Sequence, residues 1–152
     1  MINEKTQLNF IRRSSPVLVE HRPLYKIGLL VLILYVSSRG GKSSLLRLHL
    51  FNWALKQEER QQLLYAASEI KDLKVSAWGF DPAFAIAIRY AVAEGLISEI
   101  PSGYKITDIG LSLVKDILTK DDLVAKEKLF LMKVGKNITE AMVTAVANSW
   151  EA

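Results

Sequence analysis

Residues 81–117 carry a punctuation that few folds can use. Asp81 is a good helix N-cap and Pro82 suits a first helical position, so a helix opens there and runs through an apolar stretch. Gly95 stands where a helix would stop in a left-handed residue. Two short β-like pieces, 96–100 and 104–107, flank Pro101, Ser102 and Gly103, which read as a hairpin turn. Thr107 can cap a second helix over 108–118, with Ile109, Leu113 and Ile117 spaced to form one apolar face. Helix, hairpin, helix in this order is the back half of a winged helix. The expected fold is mainly α: a winged-helix-like domain with a small β-hairpin at 24–118, an extended N-terminal arm at 1–23, and a C-terminal helical extension at 119–152.

The helix after Pro82 constrains function. From Ala83 to Ala93 its one charged residue is Arg89, while Phe84, Ile86, Ile88, Tyr90 and Val92 distribute around the cylinder. A helix apolar on every side is normally covered on more than one. A helix that reads DNA bases needs Arg, Asn, Gln or Ser near its start, and this one offers Ala, Phe and Ile. The hairpin adds Lys105, but also Glu99, with Asp108 just beyond. Burial against a partner or another element is therefore expected; the candidate partner-binding residues are Phe84, Ile88 and Arg89, with Phe130 and Trp150 of the extension.

Half of the residues are hydrophobic and 24% are charged, the composition of one folded globular domain with a real core. Twenty basic against sixteen acidic residues give +4, which is compatible with nucleic acid nearby without requiring it. The absence of cysteine excludes disulfides, thiolate metal sites and cysteine catalysis. The apolar run 27–36 is far short of the roughly 20 residues that span a bilayer, and the first residues lack a signal-peptide pattern. A cytoplasmic location without membrane contact is the expectation.

Along the chain, Pro16 and Pro23 oppose a continuous N-terminal helix, and the arm is expected to be extended, with Val17 to Val19 as a short strand. Arg12 and Arg13 on it are most simply solvated. Residues 24–36 read as a core helix covered from several sides. Ser37 to Gly41 break it, and residues 42–55 read as helix again, with Leu46, Leu50, Trp53 and Leu55 near one side. Residues 56–73 make an amphipathic helix with Leu63, Leu64, Ala67 and Ile70 inward. Trp78 and Phe80 are expected as lids on the core, with base stacking as the less expected use. In the extension, Lys126, Lys128 and Lys133 suggest a wet face, while Thr139 caps a last helix with Met142, Val143, Val146 and Trp150 on a stripe. Its apolar faces must be covered by the domain, a second copy or another subunit.

Gly41-Lys42-Ser43 looks like the end of a phosphate-binding loop, but the pattern needs an earlier glycine where Val36 stands, and a preceding strand. What remains is a positive turn: Arg39, Lys42 and the amides after Gly40-Gly41 could hold an anion. Arg39, Lys42, Arg47 and Lys105 are the candidate DNA or anion contacts. His21 and His49 lack metal-ligand spacing, and His49, in an apolar helix, reads as a hydrogen-bonded, partly buried residue. No nucleophile elbow or paired catalytic carboxylates occur, so neither an enzyme nor a cofactor is expected.

With those residues in view, Arg22-Pro23 before an all-apolar helix, the run Ser38-Arg39-Gly40-Gly41-Lys42-Ser43-Ser44-Leu45, the run Leu48-His49-Leu50-Phe51-Asn52-Trp53-Ala54-Leu55, and the closing winged half together resemble the middle component of ABC-three-component systems, of the kind used in Lamassu anti-phage defence. The resemblance covers roughly residues 20–118. It implies a small non-catalytic subunit that binds an SMC-like ATPase, alongside a separate nuclease or other effector, with DNA reached through the complex. The contrasting expectation is a free-standing dimeric winged-helix transcriptional regulator, paired through the extension.

Overall fold

The structure is a computed structural model that describes residues 23–150. The expected arm, its strand at Val17 to Val19, Arg12, Arg13 and His21 lie outside the described residues. Seven α-helices and a small antiparallel sheet make up the described chain.

Helix α1, Pro23–Val36, is the axle of the fold. Leu29 to Leu34 are each at most 1% exposed. At about 1.5–3 kcal/mol per buried aliphatic side chain, this one helix supplies a large share of the hydrophobic stabilisation. Its cover comes from α2 (Leu45–Leu55), α4 (Pro82–Ala93), α5 (Asp108–Leu118) and α6 (Ala125–Val134). Helix α3, Glu58–Ile70, packs on α2 and α6, and α7, Glu140–Ser149, touches α2.

Strand β1, Lys42–Ser43, pairs antiparallel with β3, Gly103–Ile106, which pairs with β2, Ile97–Ile100. The spatial order is β1-β3-β2. The turn between β2 and β3 requires glycine at 103: its φ is +150°, and a Cβ there would stand 2.1 Å from the Ser43 carbonyl oxygen. Gly110 lets α5 approach β2, since a Cβ would meet the Leu96 carbonyl oxygen at 2.2 Å.

Local capping follows the sequence closely. Asp81 accepts from the Ala83 amide, Thr107 from Gly110 and Thr139 from Met142, while Gly95 is left-handed at φ +76°. Several expectations need correction. Lys42 and Ser43 form a strand rather than helix, and Ser44, whose hydroxyl accepts from the Arg47 amide, starts α2. Leu63 and Ile70, expected inward, are 50% and 60% exposed, because α3 turns Leu64, Ala67 and Ser68 to the core. On α5 the inward face is Gly110, Val114 and Ile117, and Ile109 is exposed.

The extension is not a separate layer. Phe130, Leu131, Val134, Ile138 and Val143 join the same core. Lys128, expected on a wet face, is buried, and its ammonium donates to the carbonyls of Ile117 and Lys120 at 3.1 and 2.7 Å, closing the end of α5. Among the described residues no helix is long and apolar enough to cross a membrane, and no cluster of His, Cys, Asp or Glu could hold a metal ion.

Candidate functional site

Two surfaces stand out, and each rests on a buried polar cluster. The first cluster lies where α1, α2 and the start of α4 meet. Lys26 is the one charged residue in α1, and it is 1% exposed. Its ammonium lies 3.2 Å from Asp81 Oδ2 and donates to Asn52 Oδ1 at 2.8 Å. Asp81 Oδ2 also meets Lys56 at 3.1 Å and accepts from Asn52 Nδ2 at 3.0 Å, while Oδ1 caps α4 through the Ala83 amide at 2.9 Å. Burial alone would raise the Asp81 pKa, but the hydrogen bonds from Asn52, Lys56 and Lys26 outweigh it and hold the carboxyl well below the ordinary carboxylate range.

Beside this cluster lies His49, 4% exposed, with neither ring nitrogen hydrogen-bonded among the described residues. It is packed between Phe80, with ring centroids 4.5 Å apart, and Phe84 at 5.3 Å. The expectation of a hydrogen-bonded histidine is therefore corrected. Burial pushes its pKa down and nearby Lys26 and Lys56 act the same way, opposed by Asp81. Neutral imidazole is the form this packing favours.

Asp81 and Pro82 orient α4 so that Phe84, Ala87, Ile88 and Ala91 face the core. The remaining side is open: Ile86, Tyr90 and Val92 are 43%, 52% and 36% exposed, with Arg89 among them. Phe80, just before the helix, is 65% exposed rather than a lid, while Trp78 is half-buried and donates to the Leu46 carbonyl at 3.0 Å. Among the described residues, this apolar outer face has no partner, although the inner face of the same helix is already packed.

The second cluster lies at the other end of α1 and α2. Arg47, 3% exposed, donates from Nε to the Ile138 carbonyl at 2.7 Å and from Nη1 to the Ser38 and Ser43 hydroxyls at 2.8 and 3.3 Å, and its Nη2 donates to the Ser37 carbonyl. Its guanidinium carbon lies 4.8 Å from the centroid of the Phe51 ring. Burial pushes its pKa down to about 10, against the raising influence of Glu140. Among the described residues Arg47 forms no ion pair. The nearby carboxylate, Glu140, instead accepts from the Ser44 amide at 2.9 Å and the Ser44 hydroxyl at 2.7 Å. Glu140 thus occupies the start of α2, where an anion is favoured. The amides of Gly41 and Lys42 donate to the carbonyls of Ser38 and Arg39, so the amides expected to be free for an anion are taken by the chain itself.

Above Arg47 opens a cleft of about 530 Å³ lined by Arg39, Lys42, Ser102, Lys136, Thr139 and Glu140 among others. Lys42 faces Lys105 across the β1–β3 ladder.

The structure sorts the sequence candidates. Phe84, Ile88 and Phe130 are 0%, 3% and 6% exposed, so they belong to the core and not to a docking surface. Arg47 is corrected likewise: it is a structural bolt, not a DNA contact. Trp150 is 44% exposed but committed within the chain, donating to the Ser76 carbonyl at 2.6 Å and standing edge-on to Trp78. Arg89, Arg39, Lys42 and Lys105 are exposed, Arg89 on α4 and the other three around the cleft. Ile86, Tyr90, Lys136 and Glu140 were missed. The signal for Lys26 was available, since a lone charge in an otherwise apolar, covered helix requires a buried partner. Nothing local marks Lys136, which is brought to the cleft by tertiary packing.

No family model, curated protein or solved structure matches this chain.

Proposed function

We propose that the chain is a non-catalytic winged-helix-like subunit that docks on a much larger protein through the outer face of α4. The observation that carries this is the exposed set Ile86, Tyr90 and Val92 around a single cation, Arg89. The helix that follows β1 and α2 and precedes the β2–β3 hairpin stands where a winged helix would present bases with polar side chains. Here it presents apolar ones, which suit a protein interface and not base edges. The order α1, β1, α2, α4, β2, β3 supports the winged-helix reading, with α3 inserted before α4.

The partner follows from the resemblance of roughly residues 20–118 to the middle component of ABC-three-component systems. It is an SMC-like ATPase in a Lamassu-like defence complex with a separate nuclease effector. The nucleotide site resides in that partner under this reading, and DNA is engaged by the whole complex in the cytoplasm.

Tagged protein co-expressed with its chromosomal neighbours and resolved by mass provides the test. Recovery of a large coiled-coil ATPase at fixed ratio, lost in an Ile86→Glu/Tyr90→Glu variant that melts like the wild type, is the expected result. Recovery of the chain alone, with tight binding to one defined duplex sequence, would replace this reading with that of a dimeric transcriptional regulator.

A further inference from the structure

The cleft between the Arg39 turn, β1 and the start of α7 concentrates the charge of the protein. Arg39, Lys42, Arg47, Lys105 and Lys136, set against Glu140, leave four net positive charges in and around it, equal to the formal excess of +4 carried by the whole chain. The rest of the chain is balanced. None of Arg39, Lys42, Lys105 or Lys136 forms an ion pair among the described residues, where the ion pairs are those of Asp81 with Lys26 and Lys56 and of Asp72 with Lys74.

The strand register adds an independent sign. Lys42 lies directly opposite Lys105, and Lys105 in turn opposite Ser98. Like charges facing each other on neighbouring strands destabilise a sheet, and the adjoining position on β2 supplies a hydroxyl where a carboxylate would have relieved them. The Lys42 side chain runs back over Gly40, its Cε 3.8 Å from where a Cβ on that residue would stand. A dianionic or repeating anionic ligand between these cations would turn the repulsion into attraction.

We infer that this cleft binds consecutive phosphodiesters of a nucleic acid backbone. Its lining holds no aromatic side chain on which a base could stack and no Asn or Gln to read a base edge. Phosphate contacts position a duplex and carry no sequence information directly. The exposed cations come from four separate pieces of chain: the turn at Arg39, strand β1, strand β3 and the loop at Lys136. That spread suits several phosphates in a row better than a single small phosphate. The inference goes beyond the docking reading, uses no residue of α4, and holds for the free chain.

The test is fluorescence anisotropy of the full chain with a labelled DNA duplex of arbitrary sequence across a salt series. Contact with about three or four phosphates predicts a slope of log K against log salt of about −3. Lys42→Glu/Lys105→Glu is expected to weaken binding at least about tenfold and to make the slope shallower by about two units, whereas Arg89→Glu leaves both unchanged. Lys42→Glu alone separates binding from folding: by setting opposite charges across the ladder it is expected to raise the melting temperature while lowering DNA affinity. Wild-type affinity in the double variant would overturn the inference. So would inorganic phosphate saturating the cleft at a concentration where duplex does not bind, which would make it a small-phosphate site. Wild-type ATPase recovery in the α4 variant would sink the docking reading alone, and wild-type DNA affinity in the cleft variant would sink this inference alone, so failure of one is told from failure of the other.

Discussion

The two ends of the α1–α2 pair each bury one cation, and they neutralise it differently. At one end Lys26 meets the carboxylate of Asp81; at the other the Arg47 guanidinium donates, among the described residues, to carbonyl and hydroxyl oxygens and lies over the Phe51 ring, although Glu140 is close enough to influence its pKa. An ammonium is a compact, strongly hydrated charge that needs a counter-charge when buried, whereas a guanidinium is delocalised, more weakly hydrated and able to satisfy several neutral acceptors from one fork. The choice of residue thus fits the choice of neighbours. It also fits what each end supports. The Asp81 end fixes the start of α4 and so the docking face, with the buried Lys26 charge paired. The Arg47 end floors the basic cleft and leaves its charge for a ligand outside.

That contrast is open to measurement. Asp81→Ala removes the carboxylate beside the buried Lys26 ammonium and is expected to be the largest single effect, about 3–5 kcal/mol in urea denaturation. A loss below about 1 kcal/mol would show that the pair is not what holds this end. Arg47→Met strands no charge, only the carbonyls of Ser37 and Ile138, and should cost about 1–3 kcal/mol. If it equals Asp81→Ala, the two ends are not held by different means.

The pH dependence sharpens the same point. The folded Asp81 pKa lies below its ordinary value of about 3.9, so its stabilisation is fully present above that pH and is lost as pH falls below it. The folded His49 pKa also lies below its ordinary value of about 6.5, so the unfolded chain binds more protons and stability begins to fall as pH drops below that value. Urea midpoints followed through this range should therefore decline in two stages. His49→Phe is expected to abolish the upper stage and leave the lower; persistence of both would assign the upper stage to another group. The smallest effect expected is that of Glu140→Gln, less than about 0.5 kcal/mol at this exposed site, because the amide side chain keeps an acceptor for Ser44.

Legibility in the sequence was uneven for a physical reason. Helix ends are local matters of backbone hydrogen bonding, so Asp81, Thr107, Thr139 and Gly95 could be placed from their neighbours alone. The sidedness of α4 could not. Phe84, Ile86, Ile88 and Tyr90 are all apolar and distribute around the helix, and only the position of α1 decides that Phe84 and Ile88 are core while Ile86 and Tyr90 are surface. Phe130 was misplaced for the same reason.

Strand β1 is two residues long, too short to carry a periodicity, and exists because β3 lies beside it. The cleft is likewise a tertiary product, since Arg39, Lys105 and Lys136 lie on distant pieces of chain that only packing brings together. What the sequence by itself determined was where the backbone must turn and which helix must be buried, because those follow from capping atoms and apolar runs within a few residues. What only the tertiary structure decided was which side chains are spent on the core and which are left for a partner, because burial depends on what comes to lie opposite.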